Sequence, residues 1–244
     1  VKEAIKHVFA SLYNDRAISY RVHKGFTDIP IALSAGIQRM VRSDKGAAGV
    51  MFTIDTESGF EDVVLITSSY GLGETLVQGA VNPDEFYVHK PMLKAGNSAI
   101  IKKVLGEKAI KMVSTDYMQA GQSVKVVDVP MEERKHFSIS EEEITELARY
   151  ALIIEAHYGR AMDIEWGKDG VDGKLYILQS RPETVKSQVS KQGVLKNYYI
   201  ADKTSELLCT GRAVGQKIGQ GQICIITSIA QMSSLKAGDV LVTE

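Results

Sequence analysis

An excess of charge of either sign is missing from this sequence. Lysine and arginine number 29 against 30 aspartate and glutamate, a formal net charge of −1 over 244 residues. That balance argues against a face built for a nucleic-acid backbone or an anionic membrane, so any phosphate site has to be local. Pairs such as Lys102-Lys103 are too sparse to make a nucleic-acid patch. Cysteine is scarce as well. Cys209 and Cys224 stand fifteen positions apart with no second pair to complete a zinc site, which favours a reduced, cytoplasmic setting over a disulfide scaffold. No apolar run reaches bilayer length. The glycine signatures GxGxxG and GxxxxGKS/T are absent, so neither the dinucleotide fold nor the P-loop is supported. The histidines (His7, His23, His89, His136 and His157) form no metal-ligand pair and flank no obvious nucleophile, and they read as structural or exposed.

What is present is a mixed helix and strand pattern. Val1 to Ala10 places apolar residues at 1, 4, 5, 8 and 9, the spacing of an amphipathic helix rather than of a signal peptide, and predicts a helix over residues 1–15. A chain opening inside such a helix without an initiator methionine reads as a fragment. Residues 17–25 do not declare a state, and 29–41 are mostly apolar. Gly49 to Asp55 and Asp62 to Ser68 are short and β-branched. With the Glu57-Ser58-Gly59-Phe60-Glu61 turn between them they form a hairpin candidate. Gly71-Leu72-Gly73-Glu74 opens a short helix or loop, a strand follows at Glu85 to His89, and several short strand-like runs occupy 94–128. Ser140-Glu141-Glu142-Glu143 is the clearest helix start: a serine cap, a glutamate three residues on, and an acidic first turn. That helix runs to about Tyr158 and ends at Gly159. Met162 to Trp166 and Leu175 to Gln179 make a second hairpin candidate. Ser187 to Gly193 reads as a linker, and residues from about 209 as the strands of a further module.

The second hairpin carries the best chemical signal. Side chains on a strand alternate faces, so Gln179 and Arg181 point the same way. An antiparallel partner puts Glu165 roughly opposite them. One carboxylate, one amide oxygen and one guanidinium then share a patch, a set suited to a nucleoside triphosphate with Mg²⁺. A solvated strand face with an ordinary salt bridge is the alternative on spacing alone. Gly71-Leu72-Gly73-Glu74 can bring backbone N–H groups toward a phosphate, or simply turn the chain. Gln38-Arg39-Met40-Val41, closing an apolar stretch, can present edge groups to an adenine ring.

Longer runs carry a resemblance. Gly49-Val50-Met51-Phe52-Thr53 with Asp55-Thr56-Glu57-Ser58-Gly59 is similar to the pyruvate/phosphoenolpyruvate dikinase group. So are Gly71 to Glu74 running into Val77-Gln78-Gly79-Ala80-Val81-Asn82-Pro83-Asp84-Glu85, and Met162-Asp163-Ile164-Glu165-Trp166 with Leu178-Gln179-Ser180-Arg181-Pro182-Glu183-Thr184. The Val77 to Lys90 run resembles the phosphoenolpyruvate synthase (pyruvate, water dikinase) branch of these PEP-utilising enzymes.

The resemblance implies an α+β chain: the C-terminal part of an ATP-grasp domain over 1–186, a linker over 187–200, and the β-rich start of a swivelling phosphohistidine domain over 201–244. It implies Glu165 and Gln179 as Mg²⁺ ligands and Arg181 as a phosphate contact. Gln38, Arg39 and Val41 fall at the adenine hinge, and Glu74 on the nucleotide side. ATP is then the substrate bound here, and pyruvate acts on a barrel domain outside this sequence. The parent is a cytoplasmic enzyme, homodimeric, with neither nucleic acid nor membrane as partner. The family's first ATP-grasp half is expected before Val1, and its carrier motif Thr-x-Gly-Gly-x-Thr-Cys-His after Glu244. A related phosphotransferase with a drug or glucan acceptor, and a nucleotide-binding scaffold without chemistry, are the rival readings.

Overall fold

A computed structural model describes residues 1–26, 31–115, 123–183, 199 and 218–243. The chain divides into two units, Val1–Val41 and Arg42–Glu244. The first holds two helices, α1 (Lys2–Ala10) and α2 (Asp15–His23), joined by a 3-10 turn over Ser11–Tyr13. The single helix expected over 1–15 is therefore shorter, and 17–25, which gave no sequence signal, is mostly helical. The reason is local: the Asn14 side chain accepts the N–H of Ala17 at 2.8 Å and starts a second helix there. Residues 31–41 form no regular element despite their apolar content.

In the second unit the main structure is a six-stranded antiparallel sheet. Its strands are β1 (Ala47–Phe52), β2 (Val63–Tyr70), β3 (Asp84–His89), β4 (Ile100–Val104), β7 (Met162–Lys168) and β8 (Leu175–Pro182). Their order across the sheet is β4-β3-β2-β1-β7-β8. A separate hairpin, β5 (Ile110–Ser114) with β6 (Val124–Asp128), stands between β4 and β7 in sequence. Short helices α3 (Glu74–Val77), α4 (Lys90–Lys94) and α5 (Met131–Arg134) link the strands.

The 18-residue helix α6 (Glu141–Tyr158) covers one face of the sheet. It starts at the expected capping box: Ser140 Oγ accepts the Glu143 N–H, and Glu143 Oε2 accepts the Ser140 N–H at 2.9 Å. It ends at Gly159, whose φ of 64° favours glycine. Its buried residues Ile144, Leu147, Ala148 and Ala151 follow the 3.6-residue period and make one stripe. That stripe packs on Met51, Val64, Ile66, Phe86, Met162 and Ile164. Strand alternation turns the neighbours of these residues, including Val50, Asp163 and Glu165, to the opposite face.

A fully buried ion pair ties the start of β3 to the chain beyond β4. Lys108 Nζ lies 2.5 Å from Asp84 Oδ1, with both side chains 0% exposed. Asp84 also accepts the N–H of Gly106 (2.9 Å) and both the N–H and the hydroxyl of Ser138 (2.8 Å each). Asp84 belongs to the Asn82-Pro83-Asp84-Glu85 run, so that signature has an architectural part as well as whatever chemistry it serves.

After β8 the described residues resume with a two-stranded parallel pair, β9 (Ile223–Ile225) and β10 (Val240–Val242), around a 3-10 segment over Ile229–Ser234. The linker read at Ser187 to Gly193, Cys209 and the Gly211-Arg212-Ala213-Val214-Gly215 run lie outside the described residues. Among the described residues, no helix is long and apolar enough to cross a membrane.

Candidate functional site

The β7–β8 hairpin sets the geometry of the site. Its register pairs Glu165 with Gln179 and Asp163 with Arg181. Directly opposed residues on antiparallel strands share a face, their Cβ atoms about 5 Å apart. Glu165, Gln179, Asp163 and Arg181 therefore stand together on the face away from α6. Met162, Ile164 and Trp166 take the alternate positions of β7 and are buried, at 0%, 0% and 1% exposure. The core fixes β7 through these three, and the strand's period of two then aims Asp163 and Glu165 outward. Beyond Glu165 the register shifts: Trp166 pairs with Ile177, so Leu178 is an extra residue on β8.

Arg181 is held from one side. Its Nε and Nη2 both lie 2.8 Å from Asp163 Oδ2, and the Asp163 side chain is only 13% exposed against 63% for Arg181. A half-buried carboxylate thus orients an otherwise exposed guanidinium. Sequence reading passed over Asp163, although it sits two residues before Glu165 in a strand, the spacing that puts both on one face.

A cavity of about 390 Å³ opens on this face, lined by Val50, Gly73, Glu74, Glu165, Trp166 and Leu178 among others. Val50 pairs with Glu165 on the neighbouring strand β1. Glu74 comes in from α3, its Oε1 accepting Gln78 Nε2 at 3.0 Å. The structure thus brings Glu74 and Glu165 to one cavity, with Gln179 and Arg181 beside Glu165 on β8.

The Gly71-Leu72-Gly73-Glu74 loop is partly committed elsewhere. The Gly71 N–H donates to Gly46 O at 3.2 Å and the Leu72 N–H to Met112 O at 2.9 Å. Gly71 has φ of 84°, and a Cβ there would lie 2.5 Å from Met112 O. The first glycine is required for the turn and for this close approach, and the first two N–H groups of the loop are spent on packing. Gln38 and Arg39 are exposed and Val41 is half-buried, all in the irregular end of the first unit.

Among the described residues no group of three or more His, Cys, Asp and Glu converges as a metal cage. A hard divalent cation bound with a triphosphate needs only one or two protein oxygens. Glu165 and Gln179, opposed across two strands, present a carboxylate and an amide on one face, the hard oxygen donors that such an ion takes. The donor set fits Mg²⁺.

Residues 1–202 match the family described as pyruvate phosphate dikinase, AMP/ATP-binding domain. Over its whole length the chain is 67% identical to the phosphoenolpyruvate synthase of Neisseria meningitidis serogroup B, and it is 61% identical to that of Pseudomonas aeruginosa. Over 99% of its length it is 56% identical to the phosphoenolpyruvate synthase of Escherichia coli K12. The chain spans only 30–31% of the length of these relatives. With the family matched from Val1 through residue 202, the chain belongs to the pyruvate phosphate dikinase AMP/ATP-binding domain family.

Proposed function

We propose that this chain is the C-terminal part of the ATP-grasp domain of a phosphoenolpyruvate synthase, joined to the start of its phosphohistidine domain. Residues 1–186 belong to the nucleotide-binding domain, 187–200 to a linker that acts as a hinge, and 201–244 to the mobile domain. The parent enzyme is cytoplasmic and homodimeric. It makes phosphoenolpyruvate, AMP and phosphate from pyruvate, ATP and water through a phosphorylated histidine.

One observation carries the reading: Glu165, Gln179 and Arg181 share one face of one hairpin, in a chain whose relatives bear the synthase name. Glu165 and Gln179 hold Mg²⁺. When bound, the ion neutralises phosphate oxygens and lowers the cost of charge that shifts between them. Arg181, oriented by Asp163, directs its fork at the phosphoryl group being transferred, where a fixed cation is worth more than a mobile one. Glu74 bounds the nucleotide side. Gln38, Arg39 and Val41 meet the adenine edge, in part through backbone groups. Val50 and Leu178, which line the same cavity, give it an apolar wall that restricts water.

Arg181→Ala tests this in a protein of the relatives' full length. Phosphoryl transfer from ATP should fall on the order of 10³-fold, while ATP affinity changes by about tenfold or less. Gln179→Leu should weaken the dependence of nucleotide binding on Mg²⁺, read by titration calorimetry with and without the ion. Transfer at the wild-type rate by Arg181→Ala would rule out the assigned role, and a wild-type protein that binds nucleotide but transfers nothing would point to the scaffold reading.

A further inference from the structure

A second cavity, of about 530 Å³, lies at the end of the sheet where β1 begins and β2 and β7 finish. Its lining residues all belong to the second unit. Ala47 pairs with Tyr70 on one side and with Lys168 on the other, and opposed residues share a face. Ala47 is part of the core under α6, so Tyr70 and Lys168 stand on the α6 side of the sheet. The small Ala47 side chain between two long ones leaves room there. Glu165, an odd number of residues before Lys168 on the same strand, takes the opposite face. The two cavities are therefore separate.

Lys45, Lys111 and Lys168 line this second cavity. Close backbone contact brings two of them together: a Cβ on Gly46 would lie 2.4 Å from Lys168 O, and one on Gly170 would lie 2.2 Å from Lys45 O. Lys111 comes from β5. Its Nζ lies 3.2 Å from Glu133 Oε2 and 5.8 Å from the centre of the Tyr70 ring. The Tyr70 hydroxyl donates to Glu133 O at 3.1 Å and so fixes that wall. Lys168 Nζ lies 2.5 Å from Glu143 Oε1 in the first turn of α6.

Hydrogen-bond capacity decides what such a cavity can take. The acids are spent. Asp44 accepts from Arg42 Nε and Nη2, one on each oxygen, both at 2.8 Å. Asp169 accepts the Arg42 N–H at 3.0 Å and, on its other oxygen, the Val171 N–H at 2.8 Å. Glu133 holds Lys111. The N–H groups of Gly46, Gly170 and Gly173 close onto Ser43 O, Arg42 O and Asp169 O. The lysines are not spent, because each ammonium carries three donors. Lys111 and Lys168 each meet one carboxylate, and among the described residues no acceptor holds the exposed Lys45. The lining offers positive charge and spare donors, and asks for a ligand rich in acceptor oxygens.

We propose that this cavity is a binding site for a small phosphate monoester, with Lys45, Lys111 and Lys168 as its phosphate contacts. Lysine meets phosphate as a point charge from any direction, whereas a carboxylate is best matched by the planar arginine fork, and the Arg42 fork is occupied by Asp44. The volume exceeds that of a phosphate ion, which leaves the Tyr70 ring and the glycine backbone to meet a small organic group. The site lies on the other face from Glu165, Gln179 and Arg181 and does not rest on their reading.

Calorimetric titration of glycerol 3-phosphate, inorganic phosphate and malonate into a protein of the relatives' full length tests this, in an Arg181→Ala background that weakens phosphate binding on the opposite face. Glycerol 3-phosphate should bind with a Kd on the order of 1 mM at low salt, inorganic phosphate no more tightly, and the dicarboxylate malonate several-fold more weakly. Lys45→Met should raise the Kd for glycerol 3-phosphate by about tenfold, the scale of one charge-assisted hydrogen bond. Lys45→Arg should stay within about threefold. Because Lys45 is exposed and held by no described acceptor, Lys45→Met should keep the parent melting temperature, so lost binding is not lost folding. With Arg181 intact, Lys45→Met should leave phosphoryl transfer from ATP within about twofold. Glycerol 3-phosphate affinity unchanged by Lys45→Met, or no binding at all in the Arg181→Ala background, would overturn the proposal. Equal affinity for malonate would overturn the phosphate assignment, and transfer abolished by Lys45→Met would overturn the separateness of the site. Transfer at the wild-type rate by Arg181→Ala would count against the reading of the Glu165 face alone, since this site is read against Lys45.

Discussion

Replacing Asp84 by alanine should be among the most damaging single changes in this chain. Its partner Lys108 is 0% exposed, so the ammonium would remain in the interior with only the carbonyls of Gly106 (2.9 Å) and Arg134 (3.3 Å) as acceptors. The same change strips the Gly106 N–H, the Ser138 N–H and the Ser138 hydroxyl of their carboxylate acceptor. Removing one partner of a buried ion pair costs ~3–5 kcal/mol, and the two stranded N–H groups place Asp84→Ala at the upper end of that range, while the Ser138 hydroxyl keeps Ser68 Oγ as an acceptor at 2.7 Å. Lys108→Met should cost less, since the carboxylate keeps those three donors. Lys108 also holds φ at 46°, a conformation that costs about 1 kcal/mol or more for a residue with a side chain. At about 2–4 °C per kcal/mol, Asp84→Ala should lower the melting temperature by roughly 10 °C or more. Urea and thermal unfolding followed through Trp166, the one tryptophan of the chain and 1% exposed in the same sheet, would report it. Glu132→Ala, which removes an exposed pair with Lys135, is the control and should change stability by less than about 1 kcal/mol. An Asp84→Ala protein melting within about 2 °C of the parent would refute the assignment of this network as a fold determinant.

Other outcomes follow from single features. Ser140→Ala breaks the capping box of α6 and should cost about 1 kcal/mol, visible as a shift of a few degrees in the same melts. Gly49→Ala would place a Cβ 1.9 Å from Thr67 O and 2.7 Å from the Trp166 ring. Overpacking of this kind costs about 1–3 kcal/mol and should alter Trp166 emission. The Arg42 guanidinium, hydrogen-bonded to Asp44, holds that carboxyl below the usual carboxylate range. A depressed native value means that the stability from this pair is present above the unfolded-state value of about 4 and is lost as pH falls through the native value. Acid unfolding of Asp44→Asn should therefore show a shallower pH slope in that window than the parent protein.

Several structural features were legible residue by residue. The capping box at Ser140, the stop at Gly159 and the β7–β8 hairpin follow from short-range rules, because caps and period-two alternation need only neighbouring residues. The common face of Glu165, Gln179 and Arg181 was legible for the same reason. Asp163 falls on the same face by that alternation, but its hold on Arg181 is a contact that only the folded hairpin shows. The second helix of the first unit was also local, encoded by the Asn14 cap, whereas residues 31–41 show that apolar content alone does not make a strand.

Sequence alone determined that the chain is mixed α and β, that any phosphate site it holds has to be local, and which strand pair carries the candidate groups. Only the tertiary structure decided which neighbours those groups have. The contact of Asp84 with Lys108 and Ser138, the placing of Glu74 beside the Glu165 cavity, and the hold of Asp169 on Arg42 all join residues distant in sequence. A 127-residue separation between donor and acceptor leaves no periodic trace. Such contacts are fixed by how the sheet, its covering helix and its turns pack, and packing is a property of the whole fold rather than of any one segment.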